Sequence, residues 1–184
     1  MSLKGAIGHF KTITHHRHLV MIGCFKLGLY KQGLLHDLSK YAWVEFRAGA
    51  KYFQGDKSPN FQERIENDGI SWAWLHHKGR NKHHYEYWID YGMDGESGIG
   101  AIKMPVNYIV EMYVDRVAAC KNYQKEKYTD RSALEYYERG KGKYMMLPET
   151  MELLEDMLKH LAEFGEEATN DYIRKEILHN KNRL

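Results

Sequence analysis

The chain has 184 residues, 43% of them hydrophobic, with 27 basic against 25 acidic side chains and a net charge of +2. That length fits one domain spanning 1–184 with a real core, and the even charge balance excludes the strongly basic face of a non-specific nucleic-acid binder. Two cysteines, Cys24 and Cys120, exclude a disulfide framework or a zinc ribbon and suit reduced thiols in a cytoplasmic protein; the apolar run Leu19–Phe25 is far short of the ~20 residues of a membrane span, and MSLKGAIGHF carries no secretory signal.

Taken in chain order, residues from about Ala6 to Gly28 read as one long helix followed by a turn near 31–33. Within it His15, His18, Ile22, Phe25 and Leu29 share one face at about 100° per residue, which puts His18 on the side expected to be buried. A helix over about 39–53 carries Trp43, Phe46, Ala50 and Phe53. Ser58 caps a segment opened by Pro59 that runs through Gln62, Ile65, Ile70, Trp72 and Leu75. Residues 91–104 hold four glycines in nine positions and read as a connector or a loop over a site; GESGIG lacks the ending of a phosphate-binding loop. Pro105 opens a helix with Ile109, Met112, Val117 and Ala119 inward. Pro148 opens another with Met151, Leu154, Leu158 and Leu161 on one face and Gly165 as its stop. Alternating runs of strand type are absent, so the fold class is all-α, a bundle of six to eight helices, with C-terminal helices over about 130–180.

Nine of the eleven histidines fall in the first 84 residues. His18, His36-Asp37, His76-His77, His83-His84 and Asp115 follow one another over about a hundred residues, a mixed nitrogen and oxygen set suited to Mn, Fe, Co, Ni or Zn ions. Taken singly, each has a plainer reading. A lone buried histidine is more often a hydrogen-bonded core residue, and a His-Asp dipeptide arises by chance. Asp115 lies among small and apolar helical neighbours, so its carboxylate must be protonated, paired or metal-bound. His9, His160 and His179 read as surface residues. Lys40 stands one turn beyond Asp37. Arg80 and Lys82 interleave the histidine cluster and Arg116 follows Asp115, as a phosphate-binding rim or a solvated basic turn. Trp72, Trp74, Tyr85, Tyr87, Trp88 and Tyr91 read chiefly as core, with room for one or two to line a pocket.

GLLHDLSK and VDRVAA, in this order with the histidines, resemble the HD-domain superfamily of metal-dependent phosphohydrolases, an all-helical family. HHKGRNKHHYEYW and IVEMYVDRVAA are similar, more narrowly, to a bacterial and phage family known only as a domain of unknown function. The resemblance covers about 15–120. It implies an HD-like helical bundle in which His18, His36, Asp37 and Asp115 hold one ion, Asp37 bridging, and His77 with His84 or His83 hold a second. Seven residues between His77 and His84 is closer than in most two-metal members, and Ser39 stands where glycine is commoner. The implied activity is hydrolysis of a small phosphorylated molecule, plausibly a nucleotide, with Asp37 and Lys40 catalytic and Lys40, Arg80, Lys82 and Arg116 binding substrate. The alternatives are a di-iron oxygenase resembling inositol oxygenase and a non-catalytic metal-binding or sensing module. A homo-oligomer is compatible with the sequence.

Overall fold

The computed structural model describes residues 2–55, 57–92 and 98–179. Among them are eight α-helices and one small antiparallel hairpin, the all-α architecture that the periodicity predicts. Helix α1 (Leu3–Lys26) starts where the Ser2 hydroxyl accepts the Gly5 amide at 3.0 Å, satisfying one of the unpaired amides of its first turn. Next come α2 (Tyr30–Leu35), a 3₁₀ turn over Leu38–Tyr41, and α3 (Trp43–Lys51). Pro59 begins α4 (Pro59–Glu66), and Ser71 caps α5 (Trp72–Lys78) by accepting the Trp74 amide at 3.0 Å. Strands β1 (Ile89–Tyr91) and β2 (Ile99–Ala101) follow, then α6 (Val106–Gln124), α7 (Ser132–Gly140) and α8 (Pro148–Tyr172).

Helix α6 is the axis of the core. Val110, Tyr113, Val114 and Val117 are buried on several of its faces, against Val20 and Cys24 of α1, Tyr137 of α7 and Leu154, Leu158 and Leu161 of α8. A helix packed nearly all round leaves its carboxylates little solvent, so Glu111 is buried and Asp115 is only partly exposed. Glu166 of α8 pairs with both Lys26 of α1 and Lys121 of α6, tying three helices at one surface point. Helices α1 and α3 approach closely because position 49 is glycine: a Cβ there would overlap the His9 ring.

Several local expectations change. The turn near 31–33 is the short helix α2. The helix expected over 39–53 is divided at Ala42, whose extended ψ of 143° separates the 3₁₀ turn from α3. The segment opened by Pro59 breaks at Asp68 and Gly69, with φ of 50° and 85°, and its Ile65, Ile70, Trp72 and Leu75 are exposed. The hairpin pairs Ile89 with Ala101 and Tyr91 with Ile99; strands of three residues are too short for alternation to show. The glycine-rich segment thus supplies the second strand, and residues 93–97 of it, including half of GESGIG, lie outside the described residues. The stop at Gly165 is present as a break inside α8, where φ is 80° and ψ 174°.

Candidate metal centre

The site is organised by a bend at His36-Asp37. His36 ends α2, and Asp37 turns left-handed, with φ of 52° and ψ of 25°, a conformation that aspartate tolerates better than most residues. The bend brings two adjacent side chains to one centre, which a continuous helix would splay by about 100°. Arg17 pins it from α1: Nε donates to the His36 carbonyl at 2.7 Å and Nη2 to the Leu34 carbonyl at 3.0 Å.

Around Asp37 the donors fall into two groups, each with its atoms within 4.8 Å of one another. In the first, His16 Nε2 stands 2.9 Å from Asp115 Oδ1, and His36 Nε2 is 3.3 Å from Asp37 Oδ2 and 3.5 Å from Asp115 Oδ1. In the second, His77 Nε2 and His83 Nε2 lie 3.3 and 3.5 Å from Asp37 Oδ1, and His84 Nε2 is 2.8 Å from His77 Nε2. Ligands held about 2.1 Å from an ion in tetrahedral or octahedral geometry stand roughly 3.0–3.4 Å apart. Most of the distances lie near that range, with His16 Nε2 farther from Asp37 Oδ2 at 3.8 Å, so each group could hold an ion, with one oxygen of Asp37 in each.

The far nitrogens of these rings are held by carboxylates. Glu111, one helical turn before Asp115, accepts from Nδ1 of His36 at 2.9 Å and lies 3.2 Å from Nδ1 of His83. Glu45 of α3 stands 2.8 Å from His77 Nδ1 and 2.6 Å from His76 Nδ1. Such carboxylates fix the tautomer that presents Nε2 and raise its basicity. Asn81 donates to the His77 carbonyl and to the Ser39 hydroxyl, both at 2.8 Å, so the turn after α5 is tied to the turn after Asp37. Ser39 is thus more than a substitute for glycine: its hydroxyl also lies 3.2 Å from His77 Nδ1.

The electrostatics are strongly coupled. Burial pushes the Asp37 carboxyl up, but His36, Lys40 and His77 outweigh it and hold it well below the usual carboxylate range. Burial likewise opposes ionisation of Asp115, which His16 and His36 reverse. Burial lowers His36, yet Asp37, Asp115 and Glu111 raise it well above an ordinary histidine. His84, partly buried beside His83 and His77, is pushed well below that value by its loss of solvent and by those two rings. Lys40 Nζ lies 2.6 Å from Asp37 Oδ2, and this contact keeps its ammonium charged against burial. Five polar atoms, Nε2 of His16, His36 and His83 and both oxygens of Asp37, are buried without a well-formed hydrogen bond. Leaving such groups unsatisfied costs about 1–3 kcal/mol each, more for charged ones.

Most of the predicted site is brought together: His36, Asp37, His77, His83, His84 and Asp115 converge, with Lys40 beside them. His18 is not among them. It is exposed on α1, and His16 occupies the position expected of it. The cause is that α1 carries two apolar stripes about half a turn apart. The face with His9, Ile13, His16, Val20 and Cys24 packs inward, while Ile22 and Phe25 remain exposed. His9 is therefore a buried residue between Phe46 and Phe53, its pKa lowered to about 4 by burial and by Lys40. Arg80 and Lys82 are also turned away. With His77, Asn81 and His83 facing inward, the residues between them project outward, Arg80 onto the His76 carbonyl and Lys82 over Tyr87 and Tyr108. Arg116 is half-buried over the rings of Tyr144 and Tyr137, at 5.2 and 5.9 Å. The sequence reading missed Glu45 and Glu111 as supports; an acidic residue four positions before Asp115 in an apolar helix was the available signal.

A cleft of about 260 Å³ opens over His16, Lys40, His77, His84 and Asp115, so the cluster is reachable from outside. The fold and site together define an all-helical protein with a buried histidine–carboxylate centre of two linked halves. Residues 5–160 match the family described as a family of unknown function (DUF5662), and the chain belongs to that family. No curated protein and no solved structure matches it. Among the described residues no helix is long and apolar enough to cross a membrane.

Proposed function

We propose that the chain holds two divalent transition ions, one between His16, His36, Asp37 and Asp115 and one between Asp37, His77, His83 and His84, and hydrolyses a small phosphorylated molecule with them. The observation that carries the metal reading is the convergence of five buried atoms, three histidine Nε2 and both oxygens of Asp37, none with a well-formed hydrogen bond. A fold does not keep such a set without a compensating ligand, and cations compensate all five at once. Nitrogen with carboxylate oxygen suits Mn, Fe, Co, Ni or Zn.

Phosphoryl chemistry is supported by the order His16, His36-Asp37, His77, His83-His84, Asp115, which resembles the HD-domain superfamily, and by Lys40 at the edge of the cluster. Bound ions supply Lewis acidity, drawing the pKa of water toward neutrality and offsetting phosphoryl charge. The residues do the rest. Asp37 fixes the spacing of the two halves, Glu111 and Glu45 orient the imidazoles, and the Lys40 ammonium adds positive charge where a phosphate oxygen enters. A nucleotide is a suitable size of substrate, and the free thiols Cys24 and Cys120 suit a cytoplasmic enzyme.

Metal analysis and a phosphatase screen test this reading. Wild-type protein should carry up to two ions per chain and turn over a phosphorylated substrate with manganese or cobalt in the absence of oxygen. Asp37→Ala should lose both ions, because each half uses one of its oxygens. Retention of both ions in Asp37→Ala would refute the metal assignment, and oxygen consumption by iron-loaded protein without phosphatase activity would replace the hydrolase with an oxygenase.

A further inference from the structure

We infer that the substrate is a phosphodiester, with one organic arm on each side of the ion cluster; this rests on the phosphohydrolase reading above. A second cavity, of about 550 Å³, meets the first. The two share His84 and Asp115, one member of each donor group, and among others Lys57, Ser58, Trp74 and Tyr123. The ion cluster therefore lies at the seam of a two-lobed cleft and not at the end of a single pocket. Beyond the seam the walls come from different elements. The first lobe runs to His9 and Thr12 of α1, Gly49 of α3 and Phe53. The second runs to Tyr85, to Met112, Arg116 and Cys120 of α6, and to Tyr144.

A phosphomonoester has one organic substituent and fills one lobe when its phosphorus is at the seam. A diester has two, and occupies both. The lobes differ in chemistry, so the arms differ too. In the smaller lobe His9, neutral at physiological pH, sits with Phe53 and Ile13 as a stretch suited to a compact, weakly polar arm, while Lys40, Glu45 and Lys57 also line that lobe. Arg116, in the larger lobe, makes no ion pair among the described residues, and its Nε is buried without a hydrogen-bond partner. Its guanidinium is stacked on two phenol rings, a rigid donor group for an arm rich in acceptors, with Tyr85 and Tyr144 as flat walls. In the reaction water adds to phosphorus and the P–O bond to one arm breaks. That arm leaves as an alcohol carrying a proton from the water, and the other keeps the phosphate as a monoester.

The test compares bis(p-nitrophenyl) phosphate with p-nitrophenyl phosphate on manganese-loaded full-length protein, with metal content measured for every variant. Thr12→Phe narrows the first lobe and Cys120→Phe the second. Should either fail to fold, Asn60→Trp narrows the first lobe, and Arg116→Ala, which removes the donor of the second, is expected to cost the same tenfold. The expected result is a diester preference in kcat/KM of at least about tenfold in the wild type, and a further loss of about tenfold from narrowing either lobe, with metal content unchanged. A preference for the monoester, with only one lobe sensitive, overturns the inference and leaves the phosphohydrolase reading standing. Turnover of neither ester by protein with its ions bound removes both.

Discussion

Glu111 is the residue whose removal should act on both halves of the centre at once. Its Oε1 lies 2.9 Å from His36 Nδ1 and 3.2 Å from His83 Nδ1, and those two rings belong to different donor groups. Glu111→Gln keeps the shape and one acceptor oxygen but removes the charge. Replacing a carboxylate behind a ligating imidazole typically costs about 10–100-fold in metal affinity, or roughly 1.4–2.8 kcal/mol. Because Glu111 serves one histidine in each half, both binding constants should fall by about that factor. Glu45 provides an internal control, since it supports His77 alone among the proposed ligands. Glu45→Gln should weaken the second ion and leave the first unchanged. Competition with a chromophoric chelator gives the two stepwise constants, and denaturant melts of metal-free protein separate loss of affinity from loss of fold. The reasoning fails if Glu111→Gln weakens only one ion, or if Glu45→Gln weakens both equally while the metal-free proteins remain as stable as wild type.

His16→Ala should remove the first ion, whereas His18→Ala, an exposed change on the opposite face, should keep full metal content and alter stability by no more than about 0.5 kcal/mol. Lys40→Ala should retain the ions and cut turnover of a phosphorylated substrate about ten- to a hundred-fold, the worth of one charge-assisted contact; unchanged kinetics would exclude a phosphate-binding role. His9 has a folded pKa of about 4, below the ordinary 6.5, so the unfolded chain binds the extra proton. Stability from this group is therefore complete above about pH 6.5, declines as pH falls and levels off below about pH 4, a loss of about 3 kcal/mol. Urea melts of metal-free protein should show that pH-dependent loss in wild type and a correspondingly smaller one in His9→Phe; identical pH dependences would mean that the fold leaves the His9 pKa unshifted.

The sequence alone determined the helical class, because apolar residues recur at helical spacing in the last two long helices and the prolines and Gly165 mark helix boundaries. It also singled out most of the residues that converge at the buried centre. His36-Asp37, His83-His84 and Asp115 are residue types that an ordinary core does not gather, and their order along the chain carried a resemblance that composition could not. What it did not determine depends on contacts between distant segments. Helix α1 is apolar on two opposite faces, and only its packing on α3 and α6 chooses the one with His16 over the one with His18. The outward turn of Arg80 and Lys82 follows from the inward turn of their neighbours. Glu45 and Glu111 become supports only when α3 and α6 bring them to the rings of His77, His36 and His83. The two lobes of the cleft likewise meet at the seam because α5, α6 and α7 converge there. Periodicity ranks the faces of one helix, but which face is buried is decided by the surface that the rest of the chain presents to it.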